Sequence, residues 1–357
     1  MIKPILSAVV SVAGTHLSDD EKYLLNQYNP LGVTLFARNI ETPDKIKILI
    51  QEIKDTLERD DVLIGIDQEG GRVARLKPPY FREYLSQRSI GALPEQELKK
   101  RASYLQATLI ADELKSMGIN LNYAPCADVL FENTGNVLKS RCFSSDEKEV
   151  STLAKIMLNT YIEQGVIPCL KHAPGHGRAT VDPHLDLPIL DDDLALLKKD
   201  FYPFKHLASI APMMMTAHIV LTKIDDKPVT QSKKVIHQII RGEIGFDGFL
   251  ISDAIDMHAL KGSLSEKVMV SLEAGCDAIC YCMGDLAGLE EVLKSALPLS
   301  DKGMERFLKL KSILSDKEKS QKISQILVDE YQSIQKKSPV FSEDYDAVEI
   351  LHRLKQK

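Results

Sequence analysis

Eight short runs of apolar, largely β-branched residues recur along the chain, with segments of helical apolar spacing between them. The runs are Ile5–Val12, Gly32–Phe36, Val62–Asp67, Ile119–Tyr123, Val166–Leu170, Met213–Thr216, Gly248–Ser252 and Cys276–Cys280. The intervening segments Pro43–Glu58, Glu97–Met117, Lys148–Gln164, Leu194–Ile210 and Lys233–Ile240 read as helices; in the second, Leu98, Ala102, Leu105, Leu109, Ala111 and Leu114 fall roughly on one face. Strand and helix in alternation imply a parallel sheet, and eight units predict an α/β fold of the closed (β/α)8, triosephosphate isomerase type. The open nucleotide-binding sheet is weakened because no Gly-x-Gly-x-x-Gly follows the first strand. Gly175-His176-Gly177 is no P-loop either, since the Gly-Lys-Ser/Thr element is missing. Ile5–Ala13, behind Lys3, has a faint likeness to a secretory leader. It is short, carries one positive charge and follows Pro4, and as a strand it completes the eight.

From about Ser300 the pattern changes. Glu305–Lys337 is a charged helical stretch, and Ser338–Asp344 reads as a loop before a final short helix. The expected organisation is a single domain: a catalytic barrel over 1–300 and a helical tail over 301–357 packed on it. The tail has too few apolar positions to fold alone.

Composition narrows the function classes. A chain of 357 residues can bury a large core. The net charge of −6, with no basic run, argues against nucleic acid, and no apolar run approaches a membrane span. Six cysteines without zinc-type pairing fit reduced core positions in a cytoplasmic protein.

The candidate chemistry sits where the strands stop. Lys171-His172-Ala173-Pro174-Gly175-His176-Gly177, running on to Asp182-Pro183-His184, reads as a structured loop after the fifth strand, because its prolines and glycines interrupt regular structure. The third strand runs into Asp67-Gln68-Glu69-Gly70-Gly71-Arg72-Val73-Ala74-Arg75, where Asp67 can accept from vicinal hydroxyls and an arginine fork donate to others or, in the plainer reading, acid and arginine pair with each other across a turn. The seventh delivers Asp253; Asp256, three residues on, reads as capping or decorating the following helix. Lys139-Ser140-Arg141-Cys142-Phe143 says little by itself. A strand-end carboxylate with an Asp-x-His pair supports displacement at an acetal carbon, Asp182 orienting His184. A zinc hydrolase using His172, His176, His184 and Asp253 competes with this, but two of those histidines lie well out in the loop and no His-x-His follows the first strand. A sugar-binding protein without catalysis is the third reading.

Taken together, the Asp67–Arg75 motif, the Lys171–Gly177 run with Asp182-x-His184 and Leu187-Pro188, and Ser252-Asp253 with Met257 resemble glycoside hydrolase family 3, and more narrowly its single-domain bacterial β-N-acetylglucosaminidases. The resemblance spans about Ile5 to Leu297. It implies retaining hydrolysis with no metal or cofactor, Asp253 as nucleophile, and His184 as acid/base assisted by Asp182. It also implies that Asp67, Arg75, Arg141, Lys171 and His172 hold the sugar; Arg141 gains its meaning only here. The implied substrate is a small carbohydrate or muropeptide from cell-wall recycling, processed in the cytoplasm by a monomer. Ala173, Pro183 and Ala254 depart from the family's usual Phe, Ser and Asp. Histidine already titrates near neutral pH and, when neutral, does not repel an anion, so phosphorolysis by phosphate in place of water is the alternative reaction.

Overall fold

The computed structural model describes residues 3–315 and 323–341. Eight parallel strands close into a barrel: β1 (Leu6–Val10), β2 (Pro30–Leu35), β3 (Leu63–Ile66), β4 (Leu121–Asn122), β5 (Ile167–Ala173), β6 (Met213–Thr216), β7 (Phe249–Ala254) and β8 (Ala278–Cys280). Each strand pairs with its neighbours in sequence, and β8 closes the ring on β1. The runs Ile189–Leu190 and Val220–Leu221 form a separate two-stranded ladder. Ile5–Ala13 thus contains the first barrel strand.

The strands are apolar on both faces because both are covered. Val9, Leu31, Leu63, Leu121, Ile167, Cys169, Met213, Met215, Phe249, Ile251, Ala278 and Cys280 belong to one buried cluster inside the barrel. Their neighbours in sequence, such as Val10, Val33, Ile64, Leu170, Met214, Leu250 and Ile279, pack outward in a second cluster with the helices. Phe307 and Leu310, from the helix Asp301–Ser315, join the interior cluster.

Local chemistry sets the helix ends. Thr42 caps Pro43–Leu57, with Pro at the helix start. Ser263 and Glu266 form a capping box for Leu264–Ala274. Gly118 ends Gln96–Met117 in the left-handed conformation. No helix among the described residues is long and apolar enough to cross a membrane.

Three elements differ from the sequence reading. The fourth strand is only Leu121–Asn122, because Asn120 binds β3 through its side chain, accepting from Ile64 N–H and donating to Val62 C=O. The fifth strand runs to Ala173, so Lys171 and His172 stand on the strand and the loop starts at Pro174. Ladder partners persist that far: Ala127 N–H donates to Lys171 C=O at 2.7 Å and Ala217 N–H to Ala173 C=O at 2.8 Å. Pro174 brings no N–H to continue. The Lys233–Ile240 helix is one α turn, Lys233–Val235, followed by π-helical turns over Ile236–Glu243. In the C-terminal stretch, the helix Gln325–Gln335 lies against Gln96–Met117. Tyr331 donates its hydroxyl to Gln106, and Glu330 takes a two-pronged bond from Arg101 at 2.7 Å. The short helix expected after Asp344 lies outside the described residues.

Candidate active site

A strand's side chains alternate between faces, so an inward series continues every second residue. Leu63 and Gly65 lead to Asp67, Ile167 and Cys169 to Lys171, Phe249 and Ile251 to Asp253, and Ala278 and Cys280 to Cys282. The interior cluster is apolar, and the polar residues gather at the C-terminal ends of the strands, where barrel enzymes place their chemistry. These four end residues line one cavity with Arg75, Arg141, His172, His176 and His184. Of the eight expected site residues, seven line that cavity; the eighth, Asp182, binds directly to one of them, His184.

One side of the cavity is a chain of alternating charges. Lys171 Nζ donates to Asp67 Oδ1 at 2.8 Å and lies 2.7 Å from Glu69 Oε1. Arg141 grips Glu69 with two parallel bonds, Nε to Oε2 at 3.0 Å and Nη2 to Oε1 at 2.8 Å. Arg75, not Arg72, pairs with Asp67, at 3.2 Å. Arg72 instead donates to Val137 C=O and Ser140 Oγ. Burial disfavours the charge on Glu69, but Arg141 and Lys171 together overcome it and hold the carboxyl well below its usual range. Lys171 is likewise penalised by burial, and Asp67 and Glu69 push its ammonium above its ordinary value.

Arg141 Nη2 also lies 3.2 Å from His172 Nε2. A guanidinium can only donate, so His172 Nε2 accepts and the ring proton sits on Nδ1, which donates to Asp128 Oδ2 at 2.7 Å. Asp128 Oδ1 takes the His176 backbone N–H, also at 2.7 Å. Burial opposes charge on Asp128 too, yet His172 and His176 keep its carboxyl at about 2.

Across the cavity, Asp253 Oδ1 accepts the Ala254 N–H at 2.8 Å. Its desolvation is outweighed by His218, His172, the Ala254 amide and His184, which hold it at about 2. His218, fully buried, donates from Nε2 to Ala254 C=O at 2.9 Å and meets Thr230 Oγ1 through Nδ1 at 2.7 Å. On the loop, Asp182 Oδ1 accepts both the backbone N–H of His184, at 2.9 Å, and its ring Nδ1–H, at 2.7 Å. That leaves Nε2 as the ring atom available to a ligand.

Three residues that frame these contacts were not singled out by sequence. Glu69 lay inside a quoted motif without a role. His218 follows the apolar β6 by two residues, the same strand-end signal that marked Asp253. Asp128 had no signal of position that separates it from ordinary loop residues, and His176 was weighed only as a zinc ligand. Asp256, expected to cap or decorate the following helix, is not its cap: its Oδ1 accepts the Cys282 N–H at 2.8 Å, and Ser263 caps the helix that follows. Among the described residues, one group of histidine, cysteine and acidic side chains brings three ligand atoms within 4.8 Å: Cys126, Asp128 and His172. The zinc set weighed above, His172, His176, His184 and Asp253, is not gathered in that way.

Residues 6–308 match the model of the glycosyl hydrolase family 3 N-terminal domain. A β-hexosaminidase of Idiomarina loihiensis is 32% identical over 296 residues, covering 82% of this chain and 88% of its own. The structure of a glycoside hydrolase family 3 β-N-acetylglucosaminidase from a Paenibacillus species superposes with a TM-score of 0.84 at 26% identity, over 93% of this chain and 67% of that one. NagZ from Neisseria gonorrhoeae, in complex with N-trifluoroacetyl-D-glucosamine, superposes with a TM-score of 0.81 at 26% identity, over 93% of this chain and 98% of its own.

Proposed function

The chain belongs to glycosyl hydrolase family 3, and from that premise we propose that it is a retaining β-N-acetylglucosaminidase that forms a covalent ester on Asp253. The observation that carries this reading is Asp253 itself: the last inward residue of β7, ionised by its histidine surroundings, on the same cavity wall as the Asp182–His184 pair. Its carboxylate attacks the anomeric carbon while His184 Nε2 protonates the departing oxygen. The ring is then neutral, the same nitrogen takes a proton from the water that cleaves the ester, and Asp182 stabilises the imidazolium that starts the cycle and is regenerated at its end. Asp67, Arg75, Arg141 and Lys171 offer carboxylate and cationic groups to the hydroxyls and the acetamido group. His172, on the same cavity wall, faces the sugar as well and accepts a hydrogen bond from Arg141.

Because Asp253 stays ionised down to about pH 2, an acid limb of kcat/KM at higher pH belongs to another group. The substrate that fits the reading is terminal β-linked N-acetylglucosamine on a cell-wall muropeptide, handled in the cytoplasm. A 5-fluoro N-acetylglucosaminide tests the mechanism. It is expected to label the protein, with the adduct mapped by mass spectrometry to Asp253. Labelling at Asp256 or Glu69 would overturn the assignment, and tight binding of a thiazoline without any adduct would make the substrate's own acetamido group the nucleophile.

A further inference from the structure

Cys280 and Cys282 are two residues apart on an extended segment, so their side chains leave the same face. Their sulfurs lie 3.5 Å apart, and both line the cavity described above, together with the thioethers of Met215, Met257 and Met283. Hydrolysis of a glycoside uses none of these five sulfur side chains. We propose that Cys280 and Cys282 form a binding site for a soft, thiophilic cation of the Cu(I) type, placed inside the substrate cavity.

Thiolate and thioether sulfur select soft cations over hard ones. With metal–sulfur bonds of about 2.3 Å, a 3.5 Å spacing corresponds to an S–metal–S angle of about 100°. That angle is bent rather than linear and leaves room for a third soft ligand, a role open to the methionines that line the same cavity. Cys280 is buried and Cys282 is partly exposed to the cavity, so a cation reaches the pair from the mouth of the barrel. Arg38 is fixed beside them, its Nη2 donating to Cys282 C=O at 2.6 Å and its Nε to Val12 C=O at 3.0 Å. Its positive charge offsets the anion left when two thiolates take up one monovalent cation.

Each thiol gives up its proton to solvent as it becomes a thiolate ligand, so two protons leave as the cation enters. The other close set of possible ligands, Cys126 with Asp128 and His172, suits a soft cation less well. It contains one sulfur, and His172 Nδ1 is already committed to Asp128.

The binding claim stands on this geometry alone; only its effect on turnover rests on the hydrolase reading. The full chain, purified without oxygen, is titrated with Cu(I) against a chromogenic Cu(I) chelator. One equivalent is expected to be retained by the protein and lost from Cys280→Ser and from Cys282→Ser, while Cys126→Ser keeps it. Full retention by the doubly substituted Cys280→Ser, Cys282→Ser protein overturns the proposal. Because Cys280 stands in the barrel interior, a second measurement uses the unaltered protein: alkylation of Cys282, mapped by mass spectrometry, is expected to be blocked by one equivalent of Cu(I) and not by Mg(II). Unchanged alkylation with Cu(I) bound places the cation elsewhere and equally overturns it. Hydrolysis of a chromogenic N-acetylglucosaminide is expected to be inhibited by Cu(I), in competition with substrate, and restored by the chelator. Undiminished turnover with the cation bound overturns the placement in the substrate cavity. Protection of Cys282 in a protein that hydrolyses no N-acetylglucosaminide supports the cation site and sinks the hydrolase reading instead.

Discussion

Two aspartate–histidine pairs face the same cavity with the same contact, Nδ1 to Oδ at 2.7 Å, and they are suited to different work. In the pair His172–Asp128 both ring nitrogens are committed, Nδ1 to Asp128 and Nε2 to the Arg141 guanidinium, and Asp128 is completely buried. In the pair His184–Asp182 the partner occupies Nδ1 alone, and the ring stands on the cavity wall with a fifth of its side chain exposed. An acid/base group must gain and lose a proton during each turnover; a positioning group must not. The Asp–His contact therefore does not define the role. The second nitrogen does.

The most forceful way to break this comparison is His184→Ala. Loss of general acid help is worth about 10²–10⁴-fold where the leaving oxygen is basic, and far less with an activated phenol. Asp182→Asn should show the same dependence on leaving group, more weakly. Turnover of alkyl and nitrophenyl N-acetylglucosaminides by each variant checks it, and equal losses for the two substrates would assign His184 to binding or structure. The buried pair should behave in the opposite way. Asp128→Ala removes the acceptor of both His172 Nδ1–H and the His176 backbone N–H. Leaving these two buried donors unpaired costs about 1–3 kcal/mol each, read in a denaturant titration, while whatever activity remains keeps the wild-type ratio between the two substrates.

The contrast between the pairs also marks how far the sequence could be read. The barrel was legible because eight apolar runs at regular intervals admit few arrangements, and the strand ends Asp67 and Asp253 were legible because a charged residue closing an apolar run is conspicuous. Asp182-x-His184 was legible as a local pattern, both partners lying on one loop. His172–Asp128 was not, since its halves come from β5 and the connection after β4, 44 residues apart. The same holds for Glu69 and Arg141, 72 residues apart, whose ion pair only the closed barrel creates. The boundary of β5 was misplaced for a related reason. Lys171 and His172 look like loop residues because they are polar, yet a strand end facing a polar cavity is where polar residues can stay in the ladder.

His176, between the two pairs, sharpens the comparison through pH. It is 3% exposed, and neither ring nitrogen has a hydrogen-bond partner. Burial lowers its pKa, against the pull of Asp128, to about 4, whereas an unfolded histidine titrates near 6.5. Between those values the unfolded chain binds a proton that the folded one does not, so stability rises with pH across this window and falls on acidification. Going from pH 7.5 to 4.5, the wild type should lose roughly 2–3 kcal/mol more than His176→Asn. Parallel losses in the two proteins, measured by denaturant unfolding, would mean that the ring finds a partner or a proton in the folded state.

The smallest expected effect tests what ties the buried pair to the sugar. Arg141 spans Glu69 and His172 at once because its guanidinium is a rigid fork, two nitrogens on the carboxylate and one of them also reaching the imidazole. Lysine carries the same charge on a single nitrogen and cannot reproduce that geometry. In Arg141→Lys the charge balance around Glu69 is kept, so the fold should survive, but His172 Nε2 loses its donor and the ring is no longer held. The cost should be on the order of 1–3 kcal/mol, appearing in kcat/KM for N-acetylglucosaminides with good and poor leaving groups alike. A loss confined to the poor leaving groups would draw Arg141 and His172 into the proton transfer and erase the distinction between the two pairs.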